Sequence, residues 1–340
     1  MSKTNSKSCE ADLIEQHNRS KRRPSDQEKH LLIEALSKAA DVTGNKSFDH
    51  TSCSGSHPES SSLRSKLEQR WNDLVRATAS NTSSTGNTDH GGISEVQAKK
   101  DGHLQLAKSS SSWLEQIYDR HTEPGRHYHT VVHLWEMFEL LDIVIANVSA
   151  PKWYVPMAWS VFFHDSIYNP KSNRNEKDSA ELFREFVDAF MVPAMNKATF
   201  DTAMTMILAT EKHKVIPPGS RAETTSREDQ EDEISMQEHF LDIDMAVLGK
   251  QRDAYLEYAA LIRKEYEFVP HDVYCSKRAE ILDKFLVGNN GDVESDSSGD
   301  NTSGEKYIYL SESFREAFEK RARENLRDEI ELLRKNIIPG

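Results

Sequence analysis

Residues 126–168 read RHYHTVVHLWEMFELLDIVIANVSAPKWYVPMAWSVFFHDSIY, and the fold turns on how this stretch is read. It contains two apolar runs separated by Ser149, Ala150 and Pro151. The first run places Val131, Leu134, Phe138, Leu141 and Val144 at three- and four-residue intervals, the spacing of one buried helical face. Thr130 stands just before it, where a hydroxyl can accept from a backbone N–H one turn on, so a helix is predicted from there to about Asn147. Pro156 opens the second run, which is apolar on nearly all sides until it reaches His164 and Asp165. A helix without a polar face is a buried one.

Working outward, the same period recurs. Toward the N-terminus, Leu63, Leu67, Trp71, Leu74 and Val75 share a helical face, and 113–121 resumes the spacing with Trp113, Leu114 and Ile117 until Pro124 and Gly125 end it. Toward the C-terminus, helices are predicted at about 176–190, 197–213, 235–247, 250–266, 271–287 and 313–335. No strand alternation, internal repeat or glycine-rich phosphate loop is present, and helices joined by mostly short connections predict an all-α fold. One helical bundle is expected over 62–338, with polar inserts at about 80–110, 219–235 and 288–305. Residues 1–61, rich in Ser, Asn, Lys and Glu, are expected to be a disordered tail, except that Asp26–Ala40 has helical spacing (Leu31, Leu32, Ile33, Leu36) and could dock as a helix.

The 340-residue chain carries a net charge of −13 and a mean hydropathy of −0.71. An acidic balance argues against a nucleic-acid polymer or an anionic membrane as partner, because both require a basic surface. Much of the charge is local: 221–233 holds six acids against Arg221 and Arg227, and 288–305 holds five acids and no base. Three cysteines (Cys9, Cys53, Cys275) without CxxC spacing suit a reducing compartment. The N-terminus lacks the apolar core of a signal peptide, and no run approaches the ~20 apolar residues of a membrane span. A soluble, cytoplasmic protein is expected, the basic SKRRP at 20–24 leaving a nuclear location open.

The chemistry concentrates in the opening stretch. Imidazole nitrogen and carboxylate oxygen together bind borderline cations, Zn, Mn, Fe or Co, and hard carboxylate ligands shift the balance toward Mn, Mg or Fe. His129 and His133 lie four apart and share a face if one helix includes both. His164 and Asp165 diverge by about 100° on a helix, yet both reach one ion if the helix end faces it. A bare Asp165 beside Phe162, Phe163 and Ile167 would be costly to bury, and a metal ion removes that cost. His213 follows at the end of TMILATEKH, and LDIDMAVLG sets Asp242 and Asp244 among apolar residues.

The order His133, His164–Asp165, Asp244 resembles the metal-binding signature of the HD superfamily of metal-dependent phosphohydrolases. It is most similar to a branch of predicted phosphohydrolases marked by YHTxxH, FHDxxY, NExxSA, DxDxxxLG and IRxEY. These elements stand here as Tyr128–His129–Thr130 with His133, Phe163–His164–Asp165 with Tyr168, Asn175–Glu176 with Ser179–Ala180, Asp242 and Asp244 before Leu248–Gly249, and Ile262–Arg263 with Glu265–Tyr266. The resemblance runs from about Ser62 to Asn336. It implies an HD-type helical domain and His133, His164, Asp165 and Asp244 as metal ligands. Asp242 and Asp244, two apart on a helix, cannot both face the ion, and the resemblance favours Asp244, because in related proteins the ligand aspartate sits directly before the hydrophobic and small residues of its helix. His129 and His213 are left to hold a second metal or to bind phosphate. The implied activity is hydrolysis of a small phosphorylated metabolite, foremost a nucleotide phosphomonoester. In that reading a bound divalent ion would activate water, Asp165, or Glu176 if its loop folds inward, would orient that water, and Arg126, Lys171, Arg174 and Arg263 are the cationic candidates for gripping the phosphate. The rival readings are a regulatory module that binds a nucleotide without turnover and a di-iron oxygenase.

Overall fold

The computed structural model describes residues 25–41, 58–81, 110–148, 150–191, 194–217, 226–287 and 306–339. Among them the chain is helical, without a strand. In order come α1 (Asp26–Ala40), α2 (Pro58–Asn81), α3 (Ser111–Arg120), α4 (Val131–Val148) and α5 (Tyr154–Phe163), then α6 (Asn175–Phe186), α7 (Lys197–Ala209), α8 (Arg227–Met245), α9 (Arg252–Glu265) and α10 (His271–Val287). The last helix, α11 (Lys320–Arg334), is led in by the turn Glu312–Phe314 and the π turn Arg315–Glu319. No helix among the described residues is long and apolar enough to cross a membrane.

The centre of the bundle is α5. All of its residues from Val155 to Phe163 are buried, and it packs against α4, α7 and α2. The five α2 positions expected on one face, Leu63, Leu67, Trp71, Leu74 and Val75, are buried. Trp71 meets Trp159 edge-on at 5.2 Å and Phe162 at 5.1 Å, the geometry that ring quadrupoles favour. Both buried indoles keep a polar partner: Trp71 donates to Ser110 Oγ at 2.9 Å and Trp159 to Thr78 Oγ1 at 3.0 Å.

Part of the expected disordered tail is ordered. Residues 26–40 form α1, entered through a capping box in which Ser25 Oγ accepts from the Glu28 N–H and the Glu28 carboxylate accepts from the Ser25 N–H. The helix buries Leu32, Leu36 and Ala40 and lies along α4, while Leu31, on the opposite side, is exposed. Tertiary packing supplies the stability that a helix of this length lacks alone. Residues 1–24 and 42–57 lie outside the described residues, and α2 begins at Pro58 rather than Ser62. The insert expected at 219–235 also shortens. Ser226 caps α8, its Oγ accepting from Asp229 N–H at 3.1 Å, and Glu228 and Asp229 sit in the first turn, where the helix dipole favours acids. Residues 82–109, 218–225 and 288–305 lie outside the description.

A close approach fixes how the π turn leading into α11 sits on the rest. Gly249 ends the turn after α8, and a Cβ there would stand 2.6 Å from Phe318 Cβ and 2.8 Å from the Phe318 carbonyl oxygen. Backbone cannot yield as a flexible side chain can. Gly249→Ala is expected to cost about 1–3 kcal/mol, measured as a lower urea midpoint at unchanged slope.

Candidate metal centre

Local structure places each member of the cluster. α4 starts directly after Thr130, whose Oγ1 accepts from the Val132 N–H at 3.3 Å, so His133 falls in the first turn and is buried against Tyr128, ring centroids 4.8 Å apart. His129 precedes the helix and does not share its face with His133. α5 stops at Phe163 and His164 is its C-cap. The chain turns there, which lets the adjacent His164 and Asp165 face the same point. His164 Nδ1–H donates to the Val161 carbonyl at 3.1 Å, and this leaves Nε2 as the nitrogen turned to the cluster. Asp244 enters from the last turn of α8.

His133, His164 and Asp165 each offer a ligand atom, all within 4.8 Å of one another. Asp165 Oδ2 lies 3.0 Å from His164 Nε2 and 3.9 Å from His133 Nε2. Asp244 Oδ1 lies 3.2 Å from His133 Nε2 and 3.7 Å from His164 Nε2, while its Oδ2 accepts from His213 Nε2 at 3.1 Å. His213 sits beyond α7 with φ of +47°, a left-handed backbone uncommon outside glycine, held there over the Asp244 carboxylate.

The buried Nε2 atoms of His133 and His164 have carboxylate oxygens close by but out of line, and neither makes a hydrogen bond. Buried polar atoms are otherwise nearly always satisfied. Two bare imidazole nitrogens converging with two carboxylates form a donor set suited to a divalent metal. The electrostatics agree. Burial disfavours a proton on His164, but Asp165 and Asp244 outweigh it and raise the ring well above its ordinary value. Burial likewise raises both carboxyls, yet His164 holds Asp165 far below the usual range, and His133, His164 and His213 do the same for Asp244. The pocket thus carries a strong demand for positive charge.

The structure separates the two aspartates of the DxD element. Asp242 is turned away from the cluster and accepts from the backbone N–H groups of Leu310 and Ser311, both at 2.7 Å, its carboxyl pushed up by burial to about 7. It pins the 306–311 segment to α8 and is not among the ligand candidates. Asp242→Asn turns an amide N–H onto a backbone N–H and is expected to cost about 1–3 kcal/mol in a denaturant melt with metal content unchanged. Asp244→Asn is expected to show the reverse, lost metal with little change in the melt.

The cations expected at a phosphate are placed elsewhere. Arg126 is buried and ties two loops together: Nη1 donates to the carbonyls of Asp165 at 2.7 Å and His129 at 3.2 Å, and Nη2 to Ser166 at 3.0 Å. It therefore sets the turn that carries Asp165 rather than reaching a substrate. Arg263 donates to the carbonyls of Tyr266 at 2.6 Å and Val269 at 3.1 Å. Arg174 is exposed and paired with Asp178 at 3.0 Å, and Lys171 lies over Phe268 at 4.5 Å. Glu176 sits in the first turn of α6, and among the described residues no hydrogen bond or ion pair joins it to the cluster.

Glu265 is the residue whose importance the sequence hides. Beside Arg263 it reads as half of a structural ion pair, but its carboxylate is buried beneath His129. Oε1 accepts from the backbone N–H groups of His127, Tyr128 and His129 at 2.8, 2.8 and 3.0 Å, and Oε2 meets His129 Nδ1 at 2.7 Å and Tyr168 O–H at 2.8 Å. Burial would raise this carboxyl, but His129 and the backbone donors pull it down to about 2. The only signal in the sequence was the joint presence of the YHT and IRxEY elements, which does not reveal that they touch.

Comparison with family models, with curated proteins and with solved structures finds no match to this chain.

Proposed function

We propose that this protein is a metal-dependent phosphohydrolase of the HD type, acting on a small phosphorylated metabolite such as a nucleotide monophosphate. One observation carries the reading: His133 Nε2 and His164 Nε2 are buried without hydrogen bonds and converge with Asp165 and Asp244. In this reading these four residues hold the ion. When bound, a divalent ion supplies Lewis acidity at a phosphoryl oxygen and lowers the pKa of water.

The chain's own residues do the remainder. Asp165 directs Oδ2 at the two imidazoles, which leaves Oδ1 to orient the attacking water and accept its proton. The His164 Nδ1–H bond to Val161 fixes the ring so that Nε2 keeps its lone pair for the metal. Arg126 holds the Asp165 carbonyl, and so the Asp165 side chain is positioned from its backbone. The apolar wall of α5 and Phe240 behind His164, ring centroids 6.1 Å apart, excludes water from the far side of the cluster.

A second reading is favoured by His213. Its bond to Asp244 Oδ2 leaves that carboxylate spanning two sets of nitrogens, as a bridge between two ions would. A dinuclear site serves either hydrolysis or, with iron, oxygen chemistry. The test is the metal content of the purified protein together with phosphate release from a panel of nucleotides under Mn, Co and Mg. Bound metal with turnover supports the hydrolase. Bound metal with no phosphate released from any member of the panel would sink it, and two irons with oxygen consumption would put the oxygenase in its place.

A further inference from the structure

A cavity of about 810 Å³ opens between the N-terminal half of α1, the end of α4, the N-terminal part of α8 and the 310–316 segment. Its size is that of a ligand site, and no residue of the metal cluster lines it. Leu32, Ile33, Val148 and Leu310 give the wall an apolar part. The rest is strongly acidic: eight carboxylate side chains stand there against two fixed cations, Lys29 and Arg315. Both cations are already engaged. Lys29 pairs with Glu312 at 3.1 Å. Arg315 lies over the Tyr307 ring at 4.7 Å and donates from Nη2 to the Leu310 carbonyl at 2.5 Å. The carboxylates of Asp26, Glu228, Glu238 and Glu316 have neither a hydrogen bond nor an ion pair among the described residues. Glu238 is half-buried, and burial pushes its carboxyl up against the pull of Arg315.

The same wall holds donors without acceptors. Trp153 is 3% exposed, and its Nε1–H makes no hydrogen bond. The deeply buried indoles of Trp71 and Trp159 both keep a partner, so the bare N–H of Trp153 departs from the pattern of this core. The buried Nε–H of Arg315 is bare as well. His239 stands beside Trp153, ring centroids 5.6 Å apart. Its Nδ1–H donates to the Ser235 carbonyl at 2.8 Å, which leaves Nε2 as an acceptor that reaches Ser313 Oγ only at 3.4 Å.

An occupant must therefore bring positive charge and hydrogen-bond acceptors together. An anion is repelled by this wall. A bare polyamine brings charge and no acceptor. A peptide carrying lysine and arginine brings both, since its backbone carbonyls accept and its side chains donate to carboxylates. We propose that this cavity is the docking site for a lysine- and arginine-rich segment of a partner protein. The carbonyls of that segment take the N–H groups of Trp153 and Arg315, and its cationic side chains pair with Glu238, Glu228 and Glu316. The site is separate from the metal cluster and does not depend on the hydrolase reading.

The test uses a fluorescein-labelled, amidated Gly-Lys-Arg-Lys-Arg-Gly peptide as the probe, its affinity read by anisotropy on the full-length protein. Wild type is compared with Glu238→Gln, with Trp153→Phe, which keeps a ring and loses the N–H, and with Glu331→Gln, an exposed acid outside the cavity. Thermal melts establish that each is folded. Wild type is expected to bind, more weakly as salt rises. Glu238→Gln should weaken binding roughly tenfold or more and Trp153→Phe about two- to tenfold, the worth of a charged and a neutral hydrogen bond, with Glu331→Gln unchanged. A wild type that does not bind the peptide overturns the proposal, as do cavity variants that bind it as tightly as wild type. So does equal weakening in Glu331→Gln, which would make the attraction one of overall charge. Spermine that displaces the peptide at equal concentration would put a small polycation in its place. Tighter peptide binding after Lys21, Arg22 and Arg23 are all changed to Ser would replace the partner with the chain's own basic stretch. If Trp153→Phe does not fold, Glu238→Gln, changed at a half-buried side chain, decides alone.

Discussion

His164→Ala is expected to empty the site and stop turnover while leaving a folded protein. His164 contributes the Nε2 that no hydrogen bond satisfies, and its loss leaves Asp165 and Asp244 facing each other with His133 as their remaining buried imidazole. Removing a residue that only orients a ligand costs roughly 10–100-fold in metal affinity, so loss of the ligand itself should exceed about a hundredfold. Asp165→Asn separates binding from chemistry. The amide keeps the volume, but it loses the charge that draws the cation and the oxygen that accepts a proton, and a missing general base costs roughly 10²–10⁴ in rate. The measurements are metal per chain by elemental analysis and phosphate release, beside a thermal melt that establishes folding. Full turnover in metal-free Asp165→Asn would refute the mechanism. Loss of turnover with metal fully retained in His164→Ala would show that the cluster is not where the metal sits.

The largest expected loss of stability lies away from the site. Arg278 on α10 and Glu329 on α11 form a buried pair, Nε to Oε1 3.0 Å, with side chains 10% and 1% exposed. The Tyr255 hydroxyl donates to the second oxygen of Glu329, and the Arg278 guanidinium lies over the Tyr258 ring at 5.5 Å. Breaking such a pair from one side strands the other charge in a low-dielectric interior, at about 3–5 kcal/mol. Glu329→Ala should therefore cost about that much and lower the urea midpoint steeply. The double variant Arg278→Met with Glu329→Leu should recover most of the loss, because no charge is left to desolvate. If the double variant is as unstable as Glu329→Ala, the hydrogen bonds from the Tyr255 hydroxyl to Glu329 and from Arg278 Nη2 to the Tyr258 hydroxyl at 3.4 Å, rather than the stranded charge, carry the effect. Tyr258 also packs on Tyr128 at 4.7 Å, and Tyr128 on His133 at 4.8 Å. The same variants should thus loosen the wall behind His133 and shrink any rise in melting temperature that added metal produces.

Some of this molecule was readable from periodicity. The face Leu63, Leu67, Trp71, Leu74 and Val75 is buried as its spacing requires, and the all-apolar run after Pro156 is the central helix. Both follow from local rules, because a helix with one apolar face must pack it and a helix with none polar must be surrounded. α1 was legible as a helix, but its docking along α4 was not. Whether a marginal amphipathic helix is ordered depends on the surface that receives it.

For the candidate site, residue types and adjacency were in the sequence: His164 beside Asp165, and His133 one turn into a helix. Which charges meet was not. Arg126 reads as a substrate cation and is a clamp on the Asp165 turn, since three carbonyls reach it from segments up to forty residues away. Glu265 reads as the partner of Arg263, two residues before it, and instead closes over the loop 127–129. Asp242 and Asp244 differ only by their azimuth on α8, and that angle sends one to the backbone at Leu310 and Ser311 and the other to His133 and His213. Hydrophobic patterning is a one-dimensional property, so the sequence by itself determined the helices and their buried faces. Pairing of polar groups depends on directions in space between residues far apart in the chain. Only the tertiary structure could decide which carboxylates face the paired imidazoles, which face a backbone, and which one holds His129.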